Sequence, residues 1–117
     1  MSIELTHYIE RRILNLLSFA MELREKLPYS SVNFVLSNQI TRKIKMAEEV
    51  YEKAKVAEGK DFVFKMTQAK REMRETKYWV KILKSSEGRK PHQTIGFIED
   101  ESEALIRIFG RILSINN

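Results

Sequence analysis

Five basic residues, Lys70, Arg74, Lys77, Lys81 and Lys84, follow one another at steps of three or four positions. That spacing projects them from one side of an α-helix. At the helical rise they span about 21 Å. The chemistry such a row offers is electrostatic: it suits an extended anion. An apolar stripe of Met66, Ala69, Met73, Thr76, Val80 and Leu83 runs beside it, mostly one residue earlier. One segment is therefore expected to supply both a core element and a charged face.

Reactive constellations are scarce. A di-iron site in a helical bundle needs two Glu-x-x-His pairs and two further carboxylates. The chain has one such pair, Glu4 with His7, in its first turn. His92 follows Pro91 in a loop and has no ligand partner at metal spacing. There are no cysteines, which excludes disulfides and thiolate sites and fits a reducing cytoplasm. No Gly-rich phosphate loop is present. Glu48, Glu49, Glu52, Glu72 and Glu75 lie among lysines and arginines, where solvated faces or i,i+4 ion pairs are the simpler reading. The expectation is a protein with no catalytic residue, metal or cofactor, and not an enzyme.

Net charge is +5 with a pI near 9.5. The excess is local. Residues 61 to 90 hold nine Lys and Arg against four Asp and Glu, whereas 91 to 117 hold two against four. Arg89 and Lys90 extend the basic region into a loop. The acidic group Glu99, Asp100, Glu101 and Glu103 is expected in the first turn of a final helix, where carboxylates complement the dipole.

The elements that must position these residues are four helices, at about 2–27, 31–57, 60–85 and 98–115. Leu5, Ile9, Ile13, Leu16, Ala20, Leu23 and Leu27 mark the first, stopped by Pro28. Ser30 or Ser31 can cap the second, striped by Val32, Leu36, Ile40, Ile44, Ala47, Tyr51 and Ala54. Gly59 breaks it and Asp61 opens the third. Leu105, Ile108, Ile112 and Ile115 mark the fourth. Short connections at Pro28–Ser31 and Ala57–Lys60 favour antiparallel neighbours. Residues 1–117 are thus expected to form one all-α domain, an up-down-up-down antiparallel four-helix bundle. With neither a signal peptide nor a membrane-length apolar run, the expected location is the cytoplasm.

Tyr78, Trp79 and Ile82 lie off the core stripe of the third helix. A second buried face would be a subunit contact anchored by Trp79, since large aromatics dominate interface cores. Alternatively, Tyr78 and Trp79 roof the bundle's end.

The segments Ser37-Asn38-Gln39-Ile40-Thr41-Arg42, Ala57-Glu58-Gly59-Lys60-Asp61-Phe62, Ala69-Lys70-Arg71-Glu72 and Glu75-Thr76-Lys77-Tyr78-Trp79 strongly resemble the four-helix-bundle proteins encoded by intervening sequences in bacterial 23S ribosomal RNA genes. Related bundles are the accessory variability proteins of diversity-generating retroelements. The resemblance covers the second and third helices at motif level and the whole chain in length. It implies a cytoplasmic, non-enzymatic bundle that assembles as a homopentameric ring. Partners implied are RNA or DNA and, in the retroelement branch, a reverse transcriptase. The resemblance favours Tyr78 and Trp79 as packing or subunit-contact residues, to which the residue pattern adds Ile82. It makes the stripe Lys70, Arg74, Lys77, Lys81 and Lys84 the nucleic-acid surface, which Arg89 and Lys90 extend in the pattern. Family members typically carry a Ser-Ile-Gly-Ala-Asn pattern after the Gln-Ile-x-Arg element; this chain reads Lys43-Ile44-Lys45-Met46-Ala47-Glu48-Glu49-Val50 instead. A more regular second helix follows, since these are good helix formers.

Two functions are consistent with these patterns. One is an oligomeric nucleic-acid-binding protein, its contacts salt-sensitive and mostly to phosphates. The other is a protein-interaction scaffold, the lysine stems lying along apolar surface with solvated heads.

Overall fold

A computed structural model describes residues 1–86 and 93–116. Four helices follow in order: α1 (Ile3–Lys26), α2 (Ser31–Ala54), α3 (Gly59–Ser86) and α4 (Gln93–Asn116). The caps explain the boundaries. The Ser2 hydroxyl accepts the Leu5 N–H at 3.1 Å, and the Ser30 hydroxyl accepts the Asn33 N–H at 3.0 Å. Each satisfies an amide that the first helical turn leaves unpaired. In the α1–α2 turn the Asn33 side-chain amide donates to the Pro28 carbonyl at 2.8 Å. After Ala54 the α2 backbone closes into a turn, where the Ala57 N–H donates to the Ala54 carbonyl at 3.1 Å. Gly59 then takes φ +57°, a left-handed conformation open to glycine at little cost, and the chain reverses into α3.

Each helix packs on two others: α1 on α2 and α4, and α3 on α2 and α4, with no direct packing across the diagonals. This closed square is the up-down-up-down bundle, 45 Å long and 22 by 19 Å across. Ile9, Leu16, Leu23, Ile40, Ile44, Met66, Met73, Leu83 and Ile98 are fully enclosed. Each such side chain contributes about 1.5–3 kcal/mol relative to an exposed one. The α3 stripe from Met66 to Leu83 is buried at all six positions, Thr76 included. Thr76 fits because its hydroxyl donates back to the Glu72 carbonyl at 2.9 Å.

Five sequence expectations change. Helix α4 begins at Gln93, five residues ahead of position 98, because Thr94, Ile95 and Ile98 are buried and extend its core face. The acidic group therefore lies beyond the first turn, and three of its carboxylates pair across helices: Glu99 with Lys84, Glu101 with Arg12 and Glu103 with Lys77. In α4, Phe109 occupies the core, stacked 6.0 Å from Tyr51, while Ile115 is exposed. On α2, Val32 is exposed as well. Glu72, expected on a solvated face, is buried against Lys43 of α2 at 3.5 Å; the same ammonium reaches Glu75 at 3.3 Å. Glu72 sits only one residue from Met73, so the helical arc that faces the core also carries it inward.

Candidate nucleic-acid interface

The basic row lies along the seam between α3 and α4. Lys77 Nζ meets Glu103 Oε1 at 2.9 Å and Lys84 Nζ meets Glu99 Oε1 at 3.1 Å. Two turns from the Lys77–Glu103 pair, Lys70 lies over Gly110, its Nζ 3.3 Å from where a Cβ would stand. A seven-residue step on each helix thus joins the two contacts. Arg74 lies midway on α3, and Arg107 holds the equivalent place on α4, between Glu103 and Gly110.

Within this seam the cations divide. Lys77 and Lys84 are neutralised by α4 carboxylates, whereas Lys70, Arg74 and Lys81 form no ion pair among the described residues. Arg74 and Lys81 are exposed; Lys70 is half-buried along Gly110. Arg107, also exposed, stands one turn after Glu103 on α4. The Lys77 hydrogen bond holds the Glu103 carboxyl below its ordinary pKa, and the charges of Lys77, Arg107 and Lys81 add to that effect. One carboxylate accordingly sits within the field of three cations. Arg89 and Lys90, expected to extend the surface, lie outside the described residues, as does His92.

Sequence spacing identified the α3 half of the seam but missed the α4 half. Glu103 and Arg107 are four residues apart, a visible i,i+4 pair, yet only the helix register shows that they stand beside Lys77 and Arg74. The shortage of other basic residues in the last quarter directed attention away from Arg107.

Trp79 and Ile82 belong to the opposite flank of α3. They lie seven residues beyond Glu72 and Glu75, which face Lys43, so they share the α2 side. Both are half-buried on the core, while Tyr78 is 60% exposed, edge-on to Trp79 with ring centroids 5.7 Å apart. Packing within the bundle thus covers much of Trp79 and Ile82 and leaves Tyr78 outward.

Among the described residues no other arrangement offers chemistry of comparable reach. A cleft of about 730 Å³ lies at the bundle end away from Lys84, lined by Lys55, Gly59, Lys60 and Phe62 among others. Lys55 there is held by Glu10 and Glu52, which raise its pKa above the ordinary lysine value. Among the described residues no three His, Cys, Asp or Glu side chains are grouped so as to hold a metal ion, and no helix is long and apolar enough to cross a membrane.

Fold and surface together define an antiparallel four-helix bundle with a cationic seam along one side. Among solved structures, the chain is similar to a crystal structure from Bacteroides thetaiotaomicron, described as a protein of unknown function from the S23 ribosomal protein family, at 23% identity and a TM-score of 0.64. The match covers 92% of this chain and 94% of that one, and it shows a shared fold. No protein-family model matches the chain, and no curated protein does.

Proposed function

We propose that the protein is a non-enzymatic, self-associating four-helix bundle that binds nucleic acid through the basic face of α3. The observation that carries this reading is the row Lys70, Arg74 and Lys81, three cations on one side of α3 without an acidic partner among the described residues. Such a face binds phosphates at low salt and loses them as counterions compete. The structural neighbour's assignment to a ribosomal protein family supports an RNA partner. The motif resemblance adds DNA and a reverse transcriptase as partners of the retroelement branch, and a homopentamer as the assembly. A ring would repeat the basic face in every subunit, multiplying weak contacts. Tyr78, with Trp79 and Ile82 behind it, is the proposed subunit contact.

Filter binding of labelled RNA and DNA tests the reading. The expected result is retention at low salt and sharp loss by about 200 mM salt. Absence of retention at low salt opposes it. Light scattering tests assembly: a multiple of the subunit mass is expected, and a monomer removes the role given to Tyr78.

A second reading, a protein-interaction scaffold, is favoured by the ion pairing of Lys77 and Lys84 and by the exposed rings of Phe34, Phe64 and Tyr78. It expects a defined protein partner and indifference to nucleic acid.

A further inference from the structure

We infer that the docking point for a phosphodiester backbone is the α3–α4 seam around Glu103, formed by Lys70, Arg74, Lys81 and Arg107, with Glu103 acting as an internal counter-ion that phosphate displaces. This rests on the nucleic-acid reading above and deepens it by drawing in a second helix. Three observations converge.

Gly110 has no side chain, so the Lys70 stem lies across α4, Nζ and Cε at 3.3 and 3.7 Å from the absent Cβ position. The Lys70 ammonium thereby stands against α4, one turn from Arg107, while its own helix places Arg74 one turn away. The charge of one helix is thus continuous with that of the other.

The second observation is the register. Lys77–Glu103 and Lys70–Gly110 lie two turns apart on both helices, bringing Arg74 and Arg107 to the same level of the bundle. Like charges so placed are unfavourable on their own, and an anion between them relieves the repulsion.

The third is the balance of charge. Glu103 pairs with Lys77 and lies within the field of Lys81 and Arg107, a set with net positive charge even after it is counted. A phosphate entering the seam takes over the role of Glu103 and frees it to solvent. Lys84 is different: Glu99 answers it singly, at the acidic end of the seam. It serves helix alignment rather than docking.

The test compares three proteins with wild type for binding to single-stranded RNA and duplex DNA of equal length: Lys70→Gln/Arg74→Gln/Arg107→Gln, Glu103→Gln, and a control, Arg24→Gln/Lys53→Gln/Lys60→Gln, with the same net charge change outside the seam. For the seam variant, a loss at least tenfold beyond the control is expected, with a salt slope shallower by about two to three. Whichever nucleic acid shows the larger loss is the preferred ligand. Glu103→Gln is expected to bind several-fold tighter than wild type. Equal losses in seam and control variants at a wild-type melting temperature overturn the placement of the site, and unchanged or weaker binding by Glu103→Gln overturns the counter-ion role. Failure of wild type itself to bind rejects the underlying nucleic-acid reading instead, so the two failures are distinct. Two further single variants, Arg107→Lys and Arg107→Gln, separate charge from shape: retained binding is expected for Arg107→Lys, and a loss equal to that of Arg107→Gln contradicts a purely electrostatic seam.

Discussion

Lys77 of α3 and Glu103 of α4 meet at 2.9 Å, and a step of seven residues along each helix from this pair reaches Lys70 lying over Gly110. The same register therefore seats a cationic α3 side chain on α4 at two levels, paired at Lys77 and without a counter-charge among the described residues at Lys70. It also explains why a regularly spaced basic row is not uniform: its members face different residues of α4, an acid at Lys77 and Lys84 and a bare backbone at Lys70.

Replacing Gly110 with alanine is expected to stabilise the bundle. Glycine within a helix costs about 0.5–1 kcal/mol relative to alanine, and the atom nearest the new methyl, at 3.3 Å, is the free end of the Lys70 side chain, which can swing away. Chemical denaturation should give a higher midpoint at unchanged slope. A lower midpoint means that Lys70 is fixed across α4 more firmly than its contacts indicate.

Lys43→Met is expected to be costly. The Glu72 side chain is only 8% exposed and its Oε2 has no hydrogen-bond partner, leaving the Lys43 charge at 3.5 Å to compensate its burial. Removing one member of a buried pair costs about 3–5 kcal/mol. The partial exposure of Lys43 argues for the lower end. Denaturant unfolding checks this, and Lys43→Met/Glu72→Leu should recover most of the loss because no orphaned charge remains.

Tyr51 gives the fold an alkaline limit. Burial, aided by the Glu10 and Glu52 carboxylates, pushes its phenol from 10.0 up to about 12. A raised folded pKa favours the neutral, protonated ring in the native state. That stability is fully present below pH 10 and lost as pH rises through about 12. Thermal melts between these values should show a steeper fall for wild type than for Tyr51→Phe; identical falls would exclude the phenol as the cause.

Most of the bundle was legible in the residue pattern because burial and periodicity coincide. The α3 stripe from Met66 to Leu83 is buried throughout, and Ser30, Gly59 and Pro28 punctuate the helices through local chemistry. The start of α4 was less legible, since Thr94 and Ile95 lie beside Pro and Gly in a segment whose composition suggests a loop. Glu99, Glu101 and Glu103 look like dipole-compensating residues in the sequence, yet their partners lie on other helices, and pairings set by tertiary register leave no periodic trace. The same holds for Glu72 and Lys43. Arg107 stayed hidden for that reason too.

The most direct test of nucleic-acid binding by this face is the dependence of affinity on salt. Fluorescence anisotropy with labelled single-stranded RNA, titrated at several salt concentrations, should give a linear fall of log K with log salt, at a slope of about −2 to −3 for three or four neutralised phosphates. No binding at the lowest salt, or an affinity indifferent to salt, would contradict an electrostatic nucleic-acid face on α3.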